Sequence, residues 1–153
     1  MTDAPKVAPH EVEVSLHLEA PPEDVFPYLI EPERYVRWQG IKAELDPRPG
    51  GVYRVWMDTS GTIARGEFVE VEPPRRLVFT WGWEGNDTLP PGASTVELTL
   101  QADGSGTLLH LRHSGLPNDQ SAAMHEEGWR FFTGRLAQLA AGGDPGPMPP
   151  PSG

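Results

Sequence analysis

The feature that most restricts the fold is a switch of hydrophobic period near residue 118. Before it, apolar and polar residues alternate in short runs separated by turn-forming residues. After it, His125, Trp129, Phe132, Leu136 and Leu139 recur at spacings of three and four. The first period belongs to half-buried strands, the second to one face of a helix. The opening run, residues 10–18, is the clearest strand: Val12, Val14, Leu16 and Leu18 share one face, and Glu11, Glu13, Ser15 and His17 the other. Further strands are expected at 41–45, 52–57, 62–71, 77–83, 95–100 and 107–113, parted by turn signals such as Asp58-Thr59-Ser60-Gly61, Pro73-Pro74 and Asp103-Gly104-Ser105-Gly106. Strands so evenly spaced, joined mostly by short polar turns, indicate an antiparallel sheet. One sheet and one long helix, running from near Asn118 to near Ala141, have one sensible packing. The helix lies across the apolar face of the sheet.

Ala20-Pro21-Pro22-Glu23-Asp24 marks an earlier helix start, with proline in the first turn and acids at the positive end of the dipole. Pro27 removes a backbone hydrogen bond from that helix and is expected to kink it. A second short helix or turn at 33–36 leads to Trp38. Gly128 is out of place in the C-terminal helix, where glycine costs roughly 1 kcal/mol relative to alanine. Close approach to another element, or to a ligand, would offset that cost.

The net charge of −10, with no basic cluster beyond Arg75-Arg76, argues against nucleic acid or an anionic membrane as partner. Absence of cysteine excludes disulfides, thiolate catalysis and cysteine-ligated zinc. There is no apolar run of membrane-spanning length and no secretory-type N-terminus, so a cytoplasmic protein is expected. Residues 142–153, almost all Gly, Pro and Asp, are expected to be a disordered tail, and 1–9 a flexible N-terminus. That leaves 10–141 as one domain, expected to be a monomer or a weak homodimer.

Two segments carry a family resemblance. Glu70-Val71-Glu72-Pro73-Pro74-Arg75-Arg76-Leu77-Val78-Phe79-Thr80-Trp81 has the form strand, Pro-Pro turn, strand; His125-Glu126-Glu127-Gly128-Trp129 sets a glycine in mid-helix beside a tryptophan. Together they resemble the START-like (SRPBCC) superfamily. Within it they resemble the branch that includes the C-terminal domain of the activator of the ninety-kilodalton heat-shock chaperone ATPase. The resemblance runs from about residue 10 to about 141. It implies an α+β helix-grip fold: a curved antiparallel sheet of about six to seven strands around the long C-terminal helix, a cavity between them, and two short helices after the first strand. Pro27 departs from the family, which usually carries an ordinary helix former there.

The five tryptophans admit two readings, core filling or the walls of an apolar pocket. Trp81, on the strand face of Leu77 and Phe79, and Trp129, central in the helical stripe, are the better pocket candidates; Trp56 alternates onto the outer face. Tyr53, Val55 and Met57 share one inward face, and Leu109, Leu111 and His113 another. A ligand cavity is therefore expected to be lined by Tyr53, Val55, Met57, Trp81, His113, His125, Trp129 and Phe132. His113 and His125 are expected to point inward, toward one another. Either orients a ligand or moves a proton, or is satisfied by a neighbouring polar group.

Two histidines without a placed carboxylate make a poor metal site, and neither metal nor cofactor is expected. No Gly-x-Ser-x-Gly elbow or phosphate loop occurs. Glu67 and Glu70 are candidates for the cavity, with the register of 62–71 open, and Arg75-Arg76 is expected to be a solvated turn. These features favour binding of a small apolar or aromatic molecule. An enzyme of the cyclase or hydrolase type found in the wider superfamily is the alternative. A co-chaperone role fits a lone domain without a large charged docking face less well.

Overall fold

The computed structural model describes residues 10–147. The expected flexible N-terminus (1–9) and the end of the expected tail (148–153) lie outside these. Seven strands form in chain order: β1 Val12–Leu18, β2 Lys42–Leu45, β3 Val52–Trp56, β4 Ile63–Glu72, β5 Arg76–Trp81, β6 Ser94–Asp103 and β7 Gly106–Ser114. They make one antiparallel sheet in the order β1-β7-β6-β5-β4-β3-β2. The chain meanders from β2 to β7, while β1 sits at the far edge against β7. The link from β1 to β2 carries the short helices α1 Pro22–Val25, α2 Pro27–Ile30 and α3 Pro32–Tyr35. Pro27 splits what would be one helix into α1 and α2 at Phe26, as its missing N–H requires.

The register builds the inner face row by row. Val12, His113, Val96, Phe79 and Phe68 are paired in succession across five strands, and in a second row Val14, Leu111, Leu98 and Leu77 across four of the same strands. A register shift between Phe68 and Glu70 breaks the β4–β5 ladder, an irregularity that bends a strand. Helix α4, Asp119–Ala140, is capped by Asn118, whose side chain accepts from the Ser121 N–H at 2.8 Å. It covers the inner face through Trp129, Leu136 and Leu139, which join Phe26, Leu29, Tyr35 and Trp38 in a continuous core. Full burial of side chains of this size contributes about 1.5–3 kcal/mol each.

The outer face is an ion-pair lattice. Arg76 joins Glu70 and Glu97, Arg112 joins Glu97 and Glu11, and Arg54 joins Glu84. Arg76 therefore opens β5 rather than standing in a solvated turn. Glu67 and Glu70 face this side and do not enter the helix–sheet space. Trp56 is outside too, with Lys42 and Arg54 stacked on its ring at 4.6 and 4.5 Å. No helix among the described residues is long and apolar enough to cross a membrane.

Candidate functional site

A cleft of about 190 Å³ opens between the first half of α4 and the sheet. Trp81 ends β5 and Trp83 lies two residues beyond it, Met57 directly follows β3, Gln39 comes from the segment after α3, and Met124, His125, Gly128, Trp129 and Phe132 from α4. Of the residues expected to line a cavity, Met57, Trp81, His125, Trp129 and Phe132 border it. Tyr53, Val55 and His113 are buried in the core and do not. Gln39, Trp83 and Met124 were not among those expected. Trp83 was legible, because a period of two puts it on the face of Trp81. Met124, 56% exposed, forms the rim and breaks the helical stripe. Gln39 lies in irregular chain where no period applies.

Gly128 does not serve close packing. A Cβ built there meets only the Phe132 ring at 3.9 Å, and the residue borders the cleft. Its lack of a side chain keeps the cleft open. Gly40 is different: its φ is +84°, and a Cβ there would lie 2.5 Å from Val55 Cγ1 and 2.9 Å from the Trp56 carbonyl oxygen. Only glycine lets this turn sit against β3, and that turn carries Gln39.

Three indoles and two imidazoles form a closed hydrogen-bond network at the floor of the cleft. The Trp129 indole N–H donates to His113 Nδ1 at 3.0 Å. The opposite nitrogen, Nε2, lies 2.8 Å from Ser94 Oγ, which itself donates to the Trp81 carbonyl at 2.8 Å. An indole nitrogen only donates, so His113 is neutral with its proton on Nε2. In His125, Nε2 accepts from Trp83 at 3.1 Å and from Trp81 at 3.4 Å, while Nδ1 lies 2.7 Å from the Ser121 carbonyl and carries the proton. The two imidazoles meet edge to face, centroids 5.0 Å apart. A second proton on either ring would face an indole N–H. Burial, and then the neighbouring His125, push the His113 pKa down to about 3. Burial also lowers that of His125, against the opposing pull of the Ser121 carbonyl.

Below the cleft, the Tyr35 hydroxyl donates to Gln39 Oε1 and lies 2.5 Å from the Tyr53 hydroxyl. Burial holds both phenols far above their ordinary pKa, so they stay protonated. Arg135 locks the same region from the other side. Its guanidinium donates to the carbonyls of Arg37 and Trp38 and to those of Pro145 and Gly146. The described start of the expected tail, 142–147, is thus tied to the domain through a buried cation.

No group of three or more His, Asp or Glu able to hold a metal occurs among the described residues. A larger hollow of about 460 Å³ lies on the outer face, bordered by Gly50, Arg65, Glu67, Thr80 and Gly92. It shares no residue with the cleft.

The chain is similar to several proteins of known structure. It is 49% identical to an AHSA1-like protein from Rhizobium etli, with TM-score 0.72, over 91% of this chain and 86% of that one. It is 30% identical to CalU16 from Micromonospora echinospora, with TM-score 0.71, over 86% of this chain and 76% of that one. It is 27% identical to DynU16, a protein of the dynemicin biosynthetic locus, with TM-score 0.78; 90% of this chain covers 49% of DynU16. No curated protein matches. Residues 19–141 match the family described as Activator of Hsp90 ATPase homolog 1-like protein. With that match and the helix-grip architecture together, the chain belongs to the Activator of Hsp90 ATPase homolog 1-like family of the START-like superfamily.

Proposed function

We propose that the protein binds a small, flat, mostly apolar or aromatic molecule in the cleft between α4 and the sheet. The observation that carries this reading is the cleft itself: its walls are indole, phenyl and thioether groups, with a helix glycine that no packing contact explains. Apolar concave sites with few polar groups are the usual small-molecule sites. A fold of this type hosts ligand-binding and cyclase-like roles in general, and the fold alone does not choose between them. The origin of DynU16 in a biosynthetic locus is in keeping with a small-molecule partner. Binding is favoured over chemistry because both histidines have their ring nitrogens engaged by protein groups and are held neutral. A general base needs a free lone pair within reach of the proton it removes.

The test is a titration of tetralin, a bicyclic hydrocarbon, followed by intrinsic tryptophan fluorescence. Wild type should show a saturable change, and Gly128→Leu, which fills the cleft from the helix side, should abolish it. No saturable change in wild type, or one untouched by Gly128→Leu, contradicts the reading.

A further inference from the structure

Resting on that binding reading, we infer that the cleft selects ligands carrying a carbonyl-type acceptor, such as a ketone or quinone oxygen, which receives a hydrogen bond from the side-chain amide of Gln39. Gln39 is 1% exposed and borders the cleft, yet among the described residues its Nε2 donates to nothing. The nitrogen is not sealed off like the buried core atoms, and the cleft that Gln39 borders is where it has room to donate.

The orientation of this amide follows from its neighbours. The only partner of the buried Tyr53 hydroxyl among the described residues is the Tyr35 hydroxyl. A buried phenol O–H finds an acceptor, so Tyr53 donates to Tyr35. The Tyr35 proton must then go to Gln39, which has to present Oε1, as it does. Flipping the amide would make Tyr35 donate to Tyr53 and leave the Tyr53 proton with nowhere to go. The relay Tyr53 to Tyr35 to Gln39 therefore fixes the amide by its oxygen and leaves the NH2 group for the cleft. Gly40 and the Arg135 bonds to the Arg37 and Trp38 carbonyls hold the backbone on either side, so the donor is preset.

The other polar atoms near the cleft are already engaged: the indole N–H groups of Trp81, Trp83 and Trp129 all donate to imidazole nitrogens. One fixed donor in an aromatic wall sets one acceptor on the ligand. An engineered apolar cavity of about 150 Å³ holds benzene. A partly open cleft of about 190 Å³ therefore suits one ring or two fused rings.

Two probes share a skeleton and differ by one carbonyl: 1-tetralone and tetralin. Each is titrated into the full-length protein, with affinity and the Gln39 side-chain amide signals read by NMR. Wild type should bind 1-tetralone about tenfold or more tightly than tetralin, the factor that about 1.4 kcal/mol supplies. The Gln39 NH2 protons should move downfield with 1-tetralone and not with tetralin. Gln39→Met, similar in volume but without the donor, should equalise the two probes while still binding tetralin. Equal binding of both probes to wild type, with the Gln39 signals unmoved, overturns the inference and leaves the binding reading standing. Failure of both probes to bind contradicts the binding reading itself. Should Gln39→Met fail to fold, the wild-type preference and the Gln39 signals still decide.

Discussion

The two halves of α4 deal with buried polarity in opposite ways. In the C-terminal half, Arg135 is buried and its donors meet four carbonyl oxygens, from the segment after α3 and from the chain beyond the helix. Leu136 and Leu139 pack beside it into the core. In the N-terminal half, His125 and Trp129 are just as thoroughly bonded, but Gly128 leaves room, and across that room the Gln39 amide nitrogen meets no acceptor among the described residues. Saturated polar groups hold the C-terminal half in place, and the proposed ligand contact falls where the Gln39 amide nitrogen has no protein acceptor among the described residues.

The largest effect should come from Trp129→Ala, which removes a buried ring and the donor that satisfies His113. A cost of about 3–5 kcal/mol in denaturant melts is expected. A change near zero would mean the N-terminal half does not close on the sheet.

Acid should then discriminate between the halves, because only the N-terminal one carries a buried histidine, His125, and packs through Trp129 on a second, His113 of β7. His113 is neutral in the fold, with its pKa depressed to about 3 from an unfolded value near 6.5. A depressed pKa contributes stability that is fully present above the unfolded value and is lost as pH falls toward the folded one. Below about pH 5.5 stability should decline by about 1.4 kcal/mol per pH unit from His113 alone. His125, lowered in the same direction, adds to the decline. The carboxylate of Glu84, held low chiefly by its bonds to Arg54, enters only in stronger acid. His113→Gln should flatten the profile between about pH 6.5 and 5; an unchanged slope would contradict the protonation states assigned above.

Deleting residues 142–153 tests the C-terminal half. Composition alone suggests no effect, since Gly and Pro offer little side chain to pack, but the Pro145 and Gly146 carbonyls accept from Arg135. Loss of these bonds, partly replaced by water, should cost about 1 kcal/mol and lower Tm by about 2–4 °C. An unchanged Tm would mean that water replaces both carbonyls without penalty.

The smallest effect has the opposite sign. Gly128→Ala should stabilise the helix by about 0.5–1 kcal/mol, since nothing is close enough to clash, while weakening tetralin binding. Destabilisation would mean that the glycine serves packing after all.

The sheet and the long helix were legible because each rests on a local signal: alternation for the strands, the three-and-four spacing for α4, Pro27 for the break between α1 and α2. The cleft was legible in part. Met57, Trp81, His125, Trp129 and Phe132 follow from the inward faces, yet the same alternation cannot say how deep a residue lies. Tyr53, Val55 and His113 share those faces and are sealed in the core, Tyr53 against Tyr35 of α3, Val55 against the Gly40 turn and His113 against Trp129 of α4. Gln39 and the role of Arg135 were not legible. Both depend on irregular chain brought together by tertiary contacts, which no period encodes.

The measurement that bears most directly on the binding claim is a two-dimensional NMR titration of the indole N–H signals with 1-tetralone. Trp81, Trp83 and Trp129 border the cleft, whereas Trp38 donates to the Tyr28 carbonyl and Trp56 lies on the outer face, so two of the five signals are internal controls. The account predicts saturable shifts of the three cleft signals with the two controls still. Shifts led by Trp56, or no shift at all, would contradict it.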